Sequence, residues 1–225
     1  MKDGVLVIDK PVGPSSHSAV ALVRRLIHAS KVGHLGTLDP AASGVLPLVI
    51  NGATKHAQRL ASDEKVYEFT LYLGISTDSD DETGGVISEQ HAAPHLLEGL
   101  SALLSRFTGR IMQRPPLFSA KKKCGMRACD MARKGQKVEL SPGPVTIDSL
   151  EIIGVSWPEV RMRMSCRTGT YVRSLCRDLG EALGPGGHAR GIRRLKSGPY
   201  IIDEAVPLET LRANPAIWTD HLIPL

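Results

Sequence analysis

The stretch that most constrains the fold is 31–50, KVGHLGTLDPAASGVLPLVI. A loop rich in Gly, Pro and Ser runs straight into an apolar, strand-like segment, 45–50. Gly33, Gly36 and Gly44 permit tight turns and close approach of another chain to the backbone. Pro40 holds Asp39 toward extended geometry. One carboxylate is thereby displayed on a stiff loop at the mouth of a strand, where a nucleophile or a ligand contact can sit. Spacing alone leaves the other reading open, that Asp-Pro is ordinary turn chemistry.

Around this loop the chain reads as scattered strands with unequal helices between them. Residues 4–9 form a short buried strand, broken by Pro11, Gly13 and Pro14. Ser15 or Ser16 caps a helix over 17–28, with Val20, Val23 and Ile27 on one face. A helix follows over 53–60. Residues 66–73 alternate, placing Tyr67, Phe69, Leu71 and Leu73 on one side of a strand. An amphipathic helix spans 94–107. The segment 113–144 is irregular and basic and reads as a protruding insertion with a short helix over 126–134. Strands at 145–155 and 160–166 precede a helix over 170–183, stopped by Gly184 and Pro185. A strand at 191–196 and a helix at 207–213 complete the chain. This irregular alternation predicts an α+β fold rather than a doubly wound sheet.

Composition excludes several classes. Among 225 residues, 42% are hydrophobic and 23% charged, ordinary for a globular protein. No apolar run approaches the roughly 18 residues of a membrane span, and the N-terminus does not read as a secretory signal. The expected address is the cytoplasm. The cysteines, Cys124, Cys129, Cys166 and Cys176, form no C-x-x-C pair and are read as free thiols, with no structural metal. Asp78, Asp80, Glu82 and Glu89 mimic part of a calcium loop, but Thr83 stands where the tight turn needs Gly. No Walker or dinucleotide fingerprint is present.

The net charge of +5 is concentrated. Segment 110–137 holds nine Lys/Arg against Asp130, and 161–196 holds nine against Asp178 and Glu181. Two such segments fit a phosphate-binding face; two solvated charged faces fit equally well.

Several motifs stand in an order that resembles the TruB family of tRNA pseudouridine-55 synthases. GHLGTLDPAASGVLP resembles the motif carrying that family's catalytic aspartate. GVLVIDKPVGPSSHSAV resembles its opening strand and turn, KVYEFTLYLGISTDSDD its tyrosine strand, and QRPPLFSAKKKCGMRACDMARKG its RNA-facing insertion. GTYVRSLCRDLGEALG and HARGIRRLKSG resemble its C-terminal catalytic motifs. Leu35 and Phe118 depart from the residues most frequent at their positions.

The resemblance implies a pseudouridine synthase fold: one catalytic domain over 1–225, built on a mixed, mostly antiparallel sheet, with the basic insertion at 110–137. Too few residues follow Tyr200 for the small C-terminal RNA-binding PUA module common in the family. The implied activity is isomerisation of the T-loop uridine of tRNA to pseudouridine, with no cofactor or metal. The implied partner is the T-arm stem-loop, with no membrane and a monomeric state. The alternative is an RNA-binding protein or tRNA-folding chaperone whose catalysis is dispensable. By motif, Asp39 is the nucleophile and Arg173 the cation that keeps it ionised. Tyr67 stacks on the flipped base. His34 fills the space that base vacates, and Tyr171 and Ile192 line its pocket. Arg194, Lys10 and the run Lys121, Lys122 and Lys123 are the implied RNA-side cations.

Overall fold

The computed structural model describes residues 2–119 and 140–225, together with the backbone of 122–123 and 126–127. In chain order the elements are β1 (Gly4–Lys10), α1 (Ser16–Leu26), β2 (Val32–His34), β3 (Ser43–Ile50), α2 (Ala57–Leu60), β4 (Glu64–Leu73), β5 (Ile75–Thr77) and β6 (Val86–Glu89). Then come α3 (Leu96–Leu103), β7 (Gly109–Gln113), β8 (Lys122–Lys123), β9 (Met126–Arg127), β10 (Gly143–Ser156) and β11 (Glu159–Arg167). The last are α4 (Val172–Leu183), β12 (Gly187–Ser197), β13 (Tyr200–Ile201), β14 (Val206–Pro207), α5 (Leu208–Ala213) and β15 (Leu222–Ile223). Among the described residues, no helix is long and apolar enough to cross a membrane.

Tertiary contacts divide the chain into two compact units, Met1–Tyr67 with Arg193–Leu225, and Glu68–Ile192. In the first, β1 runs antiparallel to β3 from Gly4↔Ile50 to Lys10↔Gly44. β2 and β15 add antiparallel pairs, and β14 a parallel one. Arg193 and Arg194 of β12 lie parallel to Ser43 and Gly44. That last pairing explains Gly44: its φ is +108°, and a Cβ there would sit 2.2 Å from the Arg194 carbonyl oxygen. Val5, Val7, Leu35, Val45, Val49, Ala53 and Tyr200 form one core cluster, with Ala57 and Leu60 packed against it. Leu6, Ile8, Leu46 and Leu48 alternate with these and are also buried. Strands covered on both faces read as continuous apolar runs, as β1 and β3 do. Ser15 caps α1 as expected, its hydroxyl accepting the Ser18 N–H at 3.0 Å.

In the second unit, β10 pairs antiparallel with both β11 and β7. Met162, Met164 and Cys166 face inward from β11, while Arg161, Arg163 and Arg167 face out. α4 is buried almost all round, Arg173 and Arg177 included. Gly180 on it has no room for a side chain, because a Cβ would lie 2.3 Å from the Gly187 nitrogen. The acidic turn after β5 is held by its own carboxylates. Asp81 Oδ1 accepts from the Ser79 and Thr83 hydroxyls, and Asp78 Oδ1 accepts the Gly85 N–H.

Several expectations shift in detail. The helix at 53–60 is a 3-10 turn, Asn51–His56, running into the short α2. The helix at 94–107 is regular only over Leu96–Leu103. The helix expected from 126 does not begin there: Met126 and Arg127 pair as a strand with Lys123 and Lys122. Met and Arg favour helices in isolation, but pairing across a close partner overrides that preference. The rest of that expected helix lies outside the described residues. Cys166 and Cys176 are buried, and Cys124 and Cys129 lie outside the described residues.

Candidate active site

Asp39 sits half-buried in the loop between β2 and β3, and the loop's main chain is tied down on every side. Ser16, the first residue of α1, donates its hydroxyl to the Leu38 carbonyl at 2.8 Å and accepts the Leu38 N–H at 2.7 Å. The Gly13 N–H donates to the Pro40 carbonyl at 2.8 Å, and the Ala42 N–H to that of Asp39 at 3.1 Å. Arg194 supplies the largest share. Its guanidinium donates from Nε to Val45 O at 2.8 Å, from Nη1 to Thr37 O and from Nη2 to Gly36 O, both at 3.1 Å. These carbonyls bracket Asp39 in sequence. One rigid planar fork therefore closes the loop across its base.

Lys10 ends β1, and its ammonium donates to the carbonyls of Pro11 at 2.7 Å and Pro14 at 3.0 Å. Burial lowers its pKa from 10.5 to about 8; Arg194 pushes the same way, while Asp39 and Asp9 oppose it. His34, on β2, is half-buried, and its Nδ1 accepts the Gly36 N–H at 3.4 Å. Burial, then the charges of Arg194 and His17, lower its pKa, so it is neutral at physiological pH. Tyr67 lies on the inward face of β4 and is 9% exposed.

Lys10 carries a pH signature. The folded state releases this proton near pH 8, whereas the unfolded chain keeps it to about 10.5. The unfolded state thus binds more protons through that window, and stability rises with pH. The difference in unfolding free energy, wild type minus Lys10→Met, should grow between about pH 7 and about pH 10 in urea melts. An identical difference at both pH values contradicts it.

In the second unit, Arg173 is buried at 3% exposure. It donates to Ser79 O from Nη1 and to Phe118 O from Nη2, both at 3.0 Å, and its Nε lies 3.7 Å from Asp81 Oδ2. One turn on, Arg177 pairs with Asp80 at 2.7 Å and with Asp178 at 2.8 Å. Burial raises the Asp80 pKa against the pull of Arg177 and Arg173. Arg177 and Asp80 line a cleft of about 540 Å³ with Ser76, Arg114, Leu117 and Gly186.

Residues 24–172 match the model of the TruB family pseudouridylate synthase N-terminal domain, and 173–223 that of the tRNA pseudouridylate synthase B C-terminal domain. The chain belongs to the TruB family. Within the family it is 47% identical, over 215 residues, to tRNA pseudouridine synthase B of Aromatoleum aromaticum, covering 95% of this chain and 69% of that protein. It is equally identical to the enzyme of that name from Solibacter usitatus, over 214 residues, covering 73% of it. Among solved structures it resembles a chain of a Cbf5-Nop10-Gar1 complex, with a TM-score of 0.74 and 30% identity. That match covers 96% of this chain and 56% of the other.

Against the residues the family motifs single out, the first unit holds Lys10, His34, Asp39, Tyr67 and Arg194. There Lys10 senses the charges of both Asp39 and Arg194, and His34 that of Arg194. The second unit holds Tyr171, Arg173 and Ile192. Lys121 lies outside the described residues, and for Lys122 and Lys123 only the strand backbone is described. Lys10 and Arg194, the implied RNA-side cations, are both 0% exposed and directed at main-chain carbonyls. The basic run 161–196 was a candidate phosphate face, but its cations are largely matched at home. Arg163 pairs with Glu68, Arg167 with Asp148, Arg190 with Glu159, Arg193 with Asp9 and Lys196 with Glu64. Arg173, Arg177 and Arg194 are buried as well. Ser16 and Asp81 are the supporting residues that motif reading passed over; a lone Ser or Asp carries no local signal for a partner far along the chain.

Proposed function

We propose that this chain isomerises a uridine of tRNA, the T-loop position 55, to pseudouridine, with Asp39 as nucleophile. The observation that carries the reading is the Asp39 loop: its main chain is pinned at Gly36, Thr37, Leu38, Pro40 and Val45, while Asp39 itself stays partly exposed. A nucleophile needs this combination, since a fixed attack geometry replaces an entropic cost in the transition state. Membership of the TruB family and relatives named tRNA pseudouridine synthase B support the substrate class.

The reaction breaks the N1–C1′ bond, turns the base and joins C5 to C1′. A proton leaves C5 and one is gained at N1, so the change is redox-neutral. Asp39 attacks the activated nucleotide. Arg173 is the cation that the family motif assigns to the site. Tyr67 holds the base by stacking and takes the C5 proton. His34, neutral, fills the space the base leaves. Tyr171 and Ile192 shape the pocket. With 161–196 largely self-neutralised, phosphate contacts fall mainly to the insertion at 110–137.

Carbodiimide-based primer extension on cellular tRNA, with and without the protein, tests the reading; no protein-dependent stop at position 55 rejects it. A T-arm hairpin, which carries the target uridine, should reach within about tenfold of the kcat/KM of full-length tRNA, or roughly 1.4 kcal/mol. Both must be assayed at one salt concentration. A preference of about a hundredfold for full-length tRNA points to further contacts along the tRNA.

A further inference from the structure

We propose that Gln113 is a positioning residue for the base pocket, setting Tyr171 through a two-way amide contact. The proposal rests on the pseudouridine reading for the role of Tyr171.

Gln113 is the last residue of β7 and is 1% exposed. Its main chain is in register with Gly143 of β10, so the side chain leaves a fixed point. Its Oε1 accepts the Tyr171 N–H at 2.9 Å, and its Nε2 donates to the Tyr171 carbonyl at 3.1 Å. A side chain thus makes the paired exchange that one strand residue makes with another. Tyr171 is the N-cap of α4, with φ −114° and ψ 119° and no side-chain cap bond. Its carbonyl also accepts the Leu175 N–H at 3.1 Å, opening the helix. Holding both the N–H and the C=O of one residue fixes the two peptide planes that flank it. The direction of its Cα–Cβ bond follows, which sets the point from which the phenol ring projects.

The neighbouring bonds reinforce this placement. Ser174 Oγ and Arg177 Nη2 both donate to the Arg114 carbonyl, at 2.8 and 2.7 Å. Arg173 Nη2 donates to that of Phe118. The stretch from Gln113 to Phe118 is therefore bound to the start of α4 at successive points. Gln113 differs from the rest because its contact needs one donor and one acceptor on the same side chain. An amide supplies both at any pH. A carboxylate accepts but cannot donate, and a protonated acid does both.

That chemistry provides the test. With T-arm hairpin RNA, Gln113→Met should lower kcat by about tenfold or more while hairpin affinity stays within about threefold. In Gln113→Glu the carboxylate faces the Tyr171 carbonyl, and burial raises its pKa. Its kcat relative to wild type should climb as pH falls from about 8 to about 5.5, as the acid regains its donor. Thermal melts at each pH establish that the folded protein is compared. A second readout does not depend on turnover. The ring resonances of Tyr171, assigned with Tyr171→Phe, should move in Gln113→Glu at high pH and return at low pH. If wild type forms no pseudouridine but the resonances behave so, the functional reading fails and the positioning stands. A pH-independent ratio to wild type in an active enzyme, or a Tyr171 spectrum unmoved in the variant, overturns the proposal. Should Gln113→Met not fold, the Gln113→Glu series decides alone.

Discussion

Asp39→Asn should abolish pseudouridine formation and leave tRNA binding within a few-fold. The amide matches the carboxylate in size and accepts hydrogen bonds at one oxygen, so the loop has little cause to move. Its main chain is held from outside the side chain by Arg194, Ser16 and Gly13. On the proposed reading, what the substitution removes is the nucleophilic oxygen. A group that forms a bond to substrate contributes mainly in the transition state, so kcat collapses while affinity persists. Tritium release from C5-labelled T-arm RNA measures the first quantity and filter binding the second. Residual turnover above roughly one part in a thousand, a loss of less than about 4 kcal/mol of transition-state stabilisation, would take the nucleophile role away from Asp39.

The second large effect is expected at Arg194. Arg194→Met keeps an unbranched apolar stem and removes the fork. The carbonyls of Gly36, Thr37 and Val45 then lose their donors in a site with 0% exposure at Arg194. Leaving buried acceptors unpaired costs about 1–3 kcal/mol each. With partial relaxation, a loss of about 3 kcal/mol or more is expected in urea unfolding. Below the melting temperature the folded variant should still lose about a hundredfold in kcat, because the Asp39 loop is no longer closed at its base. Arg194→Lys retains the charge without the planar geometry and should fall between wild type and Arg194→Met. A variant of wild-type stability and turnover would mean that the loop is held by Ser16 and Gly13 alone. A variant that binds RNA poorly at full kcat would return Arg194 to the RNA face.

The two predictions separate chemistry from support. Asp39→Asn changes one oxygen and spares stability; Arg194→Met leaves the carboxylate intact and spares nothing beneath it. Comparing kcat losses with unfolding free energies tells which side of that line a further residue falls on.

Much of the local structure was legible along the chain. The β4 alternation placed Tyr67, Phe69, Leu71 and Leu73 on one buried face, and each is buried. The start of α1 followed from Ser15, because a cap acts over three residues. The Asp39 loop followed from its Gly and Pro punctuation and from motif order. In all of these the cause and the effect lie within a few residues, so periodicity and turn chemistry suffice. The basic residues behaved otherwise. Sequence counts Arg194, Lys10 and the run 161–196 as charge; only the tertiary structure decides where that charge is spent. Arg194 meets Val45 across 149 positions, Arg193 meets Asp9 across 184, and Lys196 meets Glu64 across 132. Gln113 meets Tyr171 across 58. No local pattern encodes such a pairing, because it depends on which strands become neighbours. Arg194, read along the chain as one more cation, becomes a strut beneath the Asp39 loop once β12 lies beside β3.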